Sequence, residues 1–397
     1  MATVLRVTDE HRRARLARRH GLAPPHRYAD VVAATTAMTA LHATDPTGPH
    51  LAAHARVREL TITDVDDALS VTRSIVKVMA MRRTLFVVDR DLLPAVVGSA
   101  GRRVADAERR RLAKEAAAPS GHGDDWIATA SAEVVATLTG RELSTRELRD
   151  ELPHLGATFT AAAGTRWATE VPLMSRLLTI LTASGLVARA TNAGHWRIAR
   201  PRWTSMATWL GEPLAPMDPA AGYATLVRHW LWTFGPGTEA DLVWWLGSTK
   251  TAVRGALADV EAVAVELPDG ATGWVLPGDT ADLAGTPDVD PWAALLPTLD
   301  PTTMGWKDRR AYLDPRHAPY LFDTAGNAVP TAWLDGRIVG SWVQDDDDRV
   351  RLVLLEDLAP RDRRLLAAEA ARLDELLDGE HVTNVHAAAQ AAGRRLS

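Results

Sequence analysis

The segment Leu41-His42-Ala43-Thr44-Asp45-Pro46 carries three side chains of catalytic type within four residues. An imidazole, with an unperturbed pKa of about 6.5, can orient or deprotonate a water molecule. The hydroxyl of Thr44 can bind water or a phosphate, and the carboxylate of Asp45 can supply anionic charge. Pro46 cannot continue a helix, so we expect these side chains at a helix end that faces a cleft or loop. A simpler interpretation stays open, in which Asp45 only caps the chain reversal before Thr47.

Arginine provides nearly all of the positive charge, because the chain has only four lysines. Arg82 and Arg83 lie with Thr84 near the turn between two apolar runs, Val76–Met81 and Thr84–Val88. Such a hairpin can straddle a nucleic-acid strand or enter a minor groove, although a solvated turn would look the same. Arg56 follows a run of alanines on a predicted helix, where it meets either a phosphate or a carboxylate, Asp45 or Glu59.

These residues belong to a repeated pattern of helices followed by a β-hairpin. In the middle copy the box Ser144-Thr145-Arg146-Glu147 predicts a helix start. The other elements of that copy are predicted at Ser131–Thr139, from about Pro172 to Gly185, and as strands at Leu186–Ala190 and His195–Ile198. This order is typical of a winged helix-turn-helix, a module that binds duplex DNA.

Two further copies are predicted. The later one has an Asp269-Gly270 hairpin turn, a strong signal between apolar runs, and a helix start with Thr238 and Asp241 in capping positions. Its elements are Tyr223–Phe234, Thr238–Leu246, Ser248–Val260, Ala262–Leu267 and Gly273–Leu276. The first copy is less regular, with helices at Tyr28–Leu41, Thr47–Leu60 and Val65–Leu69 before the arginine hairpin.

We therefore predict an α+β chain with three tandem winged-helix modules and a C-terminal β-rich region. The boundaries are 1–115, 126–210, 220–285 and 289–378, with Lys114–Asp125 as a linker. The last region is expected to hold strands at Val329–Trp333, Arg337–Gln344 and Arg349–Leu355, a helix at Arg361–Leu377, and frayed residues from about Gly379. Trp230, Trp232, Trp244 and Trp245 are expected in the core, and Trp306 at a surface.

Composition excludes several classes. Without cysteine there is no thiolate zinc site or disulfide, and the histidines among the first 54 residues lack the spacing of metal ligands. No phosphate-binding glycine motif supports a nucleotide cofactor. No apolar run of 18 residues or signal-like segment is present, so we expect a cytoplasmic protein without a membrane span. The net charge of −5 requires any DNA-binding face to be local.

Several blocks of the chain resemble the winged-helix DNA-binding family that contains the AlkZ and YcaQ glycosylases. They occur in the family's order over roughly residues 12–376: Leu41–Pro46 with Arg56, Met81–Phe86, Phe234-Gly235-Pro236 with Trp244-Trp245, and Leu296–Arg309. The resemblance implies three winged-helix units arranged like a clamp around duplex DNA, and excision of alkylated or crosslinked purines. It also places the family's Gln-x-Gln or Gln-x-Asp catalytic motif at His42-Ala43-Thr44, where this chain has neither glutamine.

A glycosylase of this kind would be monofunctional and use water, because none of the four lysines lies in the His42 segment to form a Schiff base. We expect no cofactor or metal, and three modules in one chain suit a clamp that works as a monomer. His42 is the preferred central residue, ahead of Asp45. Self-resistance to a DNA-alkylating natural product would be one setting for this activity. The alternatives are a non-catalytic winged-helix regulator or damage-recognition factor, and a protein-interaction scaffold.

Overall fold

A computed structural model describes residues 5–120, 124–162, 164, 168–285 and 288–396. The chain forms two compact units, one from Met1–Ala68 with Ala224–Ser397 and the other from Leu69–Tyr223. We call them unit 1 and unit 2. Helix and sheet are mixed in both, as the predicted α+β class requires. Over the described ranges, no helix has the length and apolar character needed to cross a membrane.

Unit 1 begins with short helices around a two-residue strand: α1 (Asp9–Arg19), α2 (Val31–Ala37), β1 (Leu41–His42), α3 (Gly48–His54) and α4 (Ile62–Ser70). The Asp30 side chain caps α2 by accepting from the Ala33 amide. The predicted helix Tyr28–Leu41 is too long, because Thr39 adopts a left-handed φ of 64° that ends the helix. His42 therefore lies on a strand and not at a helix end.

Unit 2 opens with the predicted hairpin, β2 (Ile75–Ala80) and β3 (Thr84–Asp89), which is confirmed. Its helices are α5 (Leu93–Val96), α6 (Arg102–Ser120), α7 (Asp124–Leu138), α8 (Thr145–Glu151), α9 (Leu173–Ala183) and α10 (Met206–Leu210). The remaining strands are β4 (Leu143–Ser144), β5 (Thr158–Ala161), β6 (Thr169–Pro172), β7 (Val187–Asn192) and β8 (Pro201–Ser205). The Ser144–Glu147 capping box is confirmed. Part of the predicted linker is helical, since α6 continues to Ser120, and residues 121–123 lie outside the described range.

The strand predicted at His195–Ile198 is wrong. The Asn192 side chain donates to the carbonyls of Gly194 (3.0 Å) and Ile198 (3.0 Å) and accepts from the Arg200 amide (2.7 Å). These bonds hold residues 193–199 as a loop, because a side chain that binds nearby backbone groups competes with strand pairing. The returning strand starts only at Pro201 and pairs with both β7 and β4.

The chain returns to unit 1 through α11 (Pro219–Phe234), followed by α12 (Glu239–Leu246), α13 (Lys250–Asp259) and the hairpin β9 (Val263–Glu266) and β10 (Thr272–Val275). This helix and hairpin order was predicted, and so was the Thr238 capping box. A short helix, α14 (Thr280–Ala284), follows. Trp306, predicted at a surface, is instead 4% exposed and donates its indole N–H to the Phe234 carbonyl at 3.0 Å.

An antiparallel sheet forms the C-terminal part of unit 1, and its four strands lie side by side in chain order. Its strands are β11 (Ala293–Leu296), β12 (Thr331–Leu334), β13 (Arg337–Gln344) and β14 (Val350–Leu354), with α15 (Ala318–Leu321), α16 (Pro360–Leu377) and α17 (Ala387–Ala391) around them. The three-stranded meander is confirmed and β11 extends it. The tail after Gly379 was wrongly expected to fray, since Gln390 is buried and the Leu396 amide bonds to the Pro319 carbonyl.

A buried polar network ties five parts of unit 1 together. Arg56, just after α3, donates to both carboxylate oxygens of Asp300 (2.6 and 2.8 Å) and to the Thr302 hydroxyl (2.8 Å). Thr302 in turn bonds to the His20 Nδ1 atom at 2.7 Å. The other ring nitrogen of His20 lies 3.1 Å from the Thr233 carbonyl on α11. The Thr233 hydroxyl donates to the Ala37 carbonyl at the end of α2.

Burial keeps two histidines of unit 1 neutral. Desolvation lowers the pKa of His20 well below its usual 6.5, and the nearby Arg56 guanidinium lowers it further. Desolvation also lowers the pKa of His54, with Arg372 and Arg27 as additional causes. In both cases the folded chain resists protonation that the unfolded chain accepts, so their neutral form contributes stability above pH 6.5 that is lost as pH falls.

Stability should therefore fall between pH 7 and pH 5 in part through His54. The His54→Gln substitution removes one group that only the unfolded chain protonates. The slope of unfolding free energy against pH should then be smaller than in wild type by up to about 1.4 kcal/mol per pH unit. Urea unfolding at pH 7, 6 and 5 measures both slopes. Equal slopes for the two proteins would contradict the neutral assignment of His54.

Candidate active site

The three predicted catalytic side chains differ in exposure. His42 on β1 is 7% exposed, Thr44 is exposed and Asp45 is partly buried. All three belong to one short segment of unit 1 between α2 and α3. Thr44 and Asp45 are therefore accessible to a substrate from solvent, whereas His42 is largely enclosed.

Asp45 forms the turn that the simpler interpretation predicted. Its Oδ1 atom accepts from the Thr47 amide at 2.9 Å and from the Thr47 hydroxyl at 2.8 Å. Within the described part of the chain, no donor bonds to the other carboxylate oxygen, Oδ2. The carboxylate is therefore fixed in direction and still has one oxygen for an outside group. A capping role and a catalytic role are compatible in this geometry.

Gly48 allows the segment to fold back on itself. Its amide donates to the Asp45 carbonyl at 3.1 Å, and a Cβ atom at this position would lie 2.8 Å from the His42 carbonyl oxygen. That separation is shorter than side chains tolerate without movement of the backbone. Because Gly48 has no side chain, the start of α3 can pack closely against the His42 backbone.

The buried polar network holds the segment at both ends. Thr39, three residues before His42, bonds through its hydroxyl to the Thr233 hydroxyl at 3.1 Å. Arg56 anchors the end of α3 to Asp300. The backbone from residue 39 to residue 56 is therefore tied to α11 and to the turn before Thr302, which favours a fixed geometry over a mobile loop.

Arg56 was expected on a phosphate-contacting face, and the structure corrects this. The side chain has no exposed surface, and its terminal nitrogens are engaged by Asp300, Thr302 and the Ala52 carbonyl. Its carboxylate partner is also neither Asp45 nor Glu59, the two that the sequence suggested. Asp300 lies 244 residues away along the chain, and no local pattern indicates it.

Arg82 and Arg83 lie at the predicted place in unit 2, in the turn between β2 and β3, and Thr84 is the first residue of β3. Arg82 and Arg83 both have positive φ, 55° and 60°, so the turn is tight. The Arg83 side chain is 48% exposed and pairs with Glu108 through its Nε atom at 2.9 Å. Glu108 also binds Arg176 at 2.8 Å. Glu108 thus orients the Arg83 side chain, which stays about half exposed to solvent.

Most arginines near the N-terminus have structural partners. Arg15 and Arg19 both pair with the buried Asp279, at 2.8 and 2.6 Å, and Arg18 pairs with Asp282 at 3.2 Å. These bonds fix α1 against the segment that contains α14. The clustering of these arginines in the sequence therefore reflects packing within unit 1. Acidic partners more than 250 residues away neutralise their charges.

A crevice beside Asp45 includes residues that the sequence did not suggest. Its lining combines the start of α3 with the end of β13 and the C-terminal tail: Asp45, Thr47, Gly48, Trp342, Gln344 and Asn384. Gln344 holds the tail in place by donating to the Glu380 carbonyl at 2.9 Å and accepting from the Val382 amide at 2.7 Å. The tail was overlooked because it was expected to fray.

No group of three His, Asp or Glu side chains in the described residues is arranged to hold a metal ion.

Comparison with known proteins decides the family. The profile of the DNA glycosylase AlkZ-like family matches residues 35–376, which is most of the chain. The chain belongs to the AlkZ-like family of DNA glycosylases. Its fold is similar to that of Streptomyces sahachiroi DNA glycosylase AlkZ, with a TM-score of 0.74 and 20% sequence identity over 94% of this chain and 97% of that one. No curated protein matches the chain.

Family membership confirms the predicted DNA repair glycosylase and does not favour the non-catalytic regulator. The matched region includes the His42 segment, the arginine hairpin and the Asp300 turn. The AlkZ-like chain therefore combines a family fold with histidine and threonine where the sequence resemblance implies glutamine or aspartate.

Arg56 should act on stability and not on DNA binding. Removing one partner of a buried ion pair leaves an uncompensated charge, so Arg56→Ala should lower the unfolding free energy by about 3–5 kcal/mol. The matched control Arg316→Ala breaks a pair with Asp314 whose arginine is 83% exposed, and should leave stability unchanged within error. Urea unfolding measures both. A stable Arg56→Ala protein with a weaker salt dependence of DNA binding would instead support the phosphate contact.

Proposed function

We propose that the chain hydrolyses the N-glycosidic bond of alkylated purines or bulky natural-product adducts in duplex DNA. The observation that carries this proposal is the His42–Asp45 segment, in which a carboxylate held through one oxygen lies three residues from a largely buried imidazole. Membership in the AlkZ-like family supplies the reaction type. The Streptomyces sahachiroi protein of similar fold is a DNA glycosylase, which agrees with that type.

An alkylated purine that is already cationic can leave without being protonated by a general acid. The C1′–N bond breaks and its electron pair neutralises the purine, which leaves an oxocarbenium-like sugar. A water oxygen then bonds to C1′ and loses its proton. His42 would orient this water and accept the proton, while Thr44 hydrogen-bonds to the water or to a backbone phosphate.

Asp45 would stabilise the positive sugar electrostatically. Fixed negative charge aimed at developing positive charge is the largest contribution in many enzymes. The two bonds from Thr47 to Oδ1 hold the carboxylate in place before the substrate arrives, so no reorganisation is needed during the reaction. The preference for His42 over Asp45 as the central residue stays a prediction.

A monofunctional reaction fits the nucleophiles available. A lyase step requires an amine that forms a Schiff base. The four lysines are Lys77, Lys114, Lys250 and Lys307, and none belongs to the His42 segment. The product would then be an abasic site and a free purine.

The arrangement on DNA is also part of the proposal. We infer three winged-helix modules, at 1–115, 126–210 and 220–285, and a C-terminal region, at 289–378, that together surround a duplex as a monomer in the cytoplasm. The helix and hairpin orders of α7–β8 and α11–β10 support the second and third modules. Self-resistance to a DNA-alkylating natural product is the setting that genomic neighbours would test.

His42→Ala and His42→Gln separate two roles of the imidazole. Excision from a duplex bearing N7-alkylguanine, read by alkali cleavage of the abasic sites, should fall by roughly 100-fold or more in the alanine variant. Glutamine can orient water without accepting its proton. If His42 only orients water, His42→Gln should keep most of the activity. If His42 is the base, the glutamine variant should be slow and lose the acid limb of the pH–rate profile.

Asp45→Asn provides the comparison for charge, because asparagine can still cap the turn. A loss of excision with unchanged melting temperature would assign the negative charge a catalytic role. Wild-type rates for both His42→Ala and Asp45→Asn on a substrate that the protein cuts would refute the proposed site. No excision across a broad panel of lesions would refute the proposed substrate class.

The arginine hairpin should contribute to binding through phosphate charge. The double substitution Arg82→Gln and Arg83→Gln should flatten the plot of log affinity against log salt by about 2 in slope, roughly 0.9 for each phosphate contact. Arg316→Gln, which removes an exposed charge from unit 1, is the matched control and should leave the slope as in wild type. Fluorescence anisotropy with an undamaged duplex measures this. An unchanged slope in the double variant would mean that Arg82 and Arg83 contact no phosphate and that the turn is only solvated.

A further inference from the structure

A groove in unit 1 lies between α2 and α11, apart from the candidate active site. It holds about 1200 Å³, counted with the solvent at its open mouth, and His42, Thr44 and Asp45 do not line it. Aromatic, charged and small residues share its lining: Tyr28, Asp30, Ala33, Arg228, His229 and Trp232. We call this the α2–α11 groove. Its chemistry is that of a binding site for a flat ring with a charged substituent.

Trp232 is exposed in this groove and yet firmly held. It is 39% exposed, whereas the neighbouring Trp230 is fully buried. The Arg19 guanidinium lies 5.2 Å from the centre of the Trp232 ring and donates to the Trp232 carbonyl at 2.7 Å. Asp279 fixes that guanidinium by a 2.6 Å bond. An exposed indole held in one orientation loses little entropy when a ring stacks on it.

The same arginine residue also positions the second aromatic side chain. The Tyr28 hydroxyl donates to the Arg19 carbonyl at 2.6 Å. Burial raises the pKa of Tyr28 to about 12, so the phenol stays neutral and its ring remains a stacking surface at physiological pH. Both aromatic walls of the groove are therefore fixed through Arg19 before any ligand binds.

Two charged side chains give the groove its selectivity. Arg228 lies four residues before Trp232, on the same face of α11, and is exposed. It forms no ion pair with any carboxylate of the described residues, which leaves its guanidinium for a phosphate. Asp30 uses Oδ1 to cap α2, by a 2.8 Å bond from the Ala33 amide. Its second oxygen can accept from an exocyclic amine.

We propose that the α2–α11 groove binds one unstacked nucleotide of the DNA, with the base on Trp232 and the phosphate on Arg228. Asp30 then favours cytosine, adenine or guanine over thymine, because thymine has no exocyclic amine to donate. The inference rests on the proposed function in one respect, that the chain acts on DNA. The proposal assigns this site to a nucleotide other than the one being cut, because His42, Thr44 and Asp45 do not line the groove.

Photocrosslinking tests the position directly. The probe is a duplex with one unpaired 5-iododeoxycytidine, compared with an otherwise identical duplex that carries 5-iododeoxyuridine. After irradiation and proteolysis, mass spectrometry should place the crosslink on the peptide that contains Trp232. The cytidine probe should give the higher yield, and Asp30→Asn, which keeps the helix cap, should make the two yields equal.

Substitutions measure the contribution of each contact. Trp232→Leu should lower affinity for the unpaired-nucleotide duplex by roughly tenfold, and Trp232→Phe should restore much of it because a ring is kept. Arg228→Gln should reduce the salt slope by about 1. Arg364→Gln removes an exposed arginine on α16 outside the groove and should match wild type. Crosslinks that map elsewhere, or wild-type affinity for Trp232→Leu, would overturn the proposal.

The outcome for the groove can be separated from the outcome for the reaction. His42→Ala should keep the Trp232 crosslink while excision is lost, which supports the groove as a site apart from the chemistry. Excision without a Trp232 crosslink refutes the groove alone. A crosslink at Trp232 without excision of any lesion supports the groove and refutes the proposed reaction.

Discussion

The ion pair between Arg56 and Asp300 is the constraint on which the rest of unit 1 depends. Both side chains have no exposed surface, so each charge requires the other to offset its lost hydration. A two-pronged guanidinium fits a carboxylate in only one orientation, and lysine could not replace it with the same geometry. The pair therefore joins the end of α3 to a turn 244 residues further along the chain and fixes the position of one relative to the other.

The network around that pair also requires His20 to be neutral. A protonated His20 would place a third buried charge beside Arg56; desolvation lowers the pKa of His20 most, and repulsion by Arg56 lowers it further. As a neutral ring, His20 can link Thr302 to the Thr233 carbonyl. The ends of α1, α2 and α3 are thus held around one hydrogen-bonded chain. The backbone of the His42–Asp45 segment is held by this arrangement, and the bonds from Thr47 to Asp45 fix the carboxylate within it.

Local signals in the sequence predicted local structure well. The capping boxes at Ser144 and Thr238 and the Asp269-Gly270 turn act over a few residues, and the structure has each of them. Long-range pairs gave no such signal. Arg56 looked like a surface cation because its partner, Asp300, is remote in sequence, and Trp306 looked exposed because charged residues flank it. For the candidate site, the segment could be predicted, whereas the crevice wall formed by the C-terminal tail could not.

The charge distribution sets how such a protein can bind DNA with a net charge of −5. Arg15, Arg18 and Arg19 are already neutralised by Asp279 and Asp282, so they attract few phosphates. Attraction can come instead from exposed guanidinium groups that have no carboxylate partner among the described residues, such as that of Arg228. The slope of log affinity against log salt reports how many such groups contact phosphates. Phosphates are the same at normal and damaged sites, so for any DNA glycosylase selectivity for a lesion must come from contacts to the base or from the shape of the duplex.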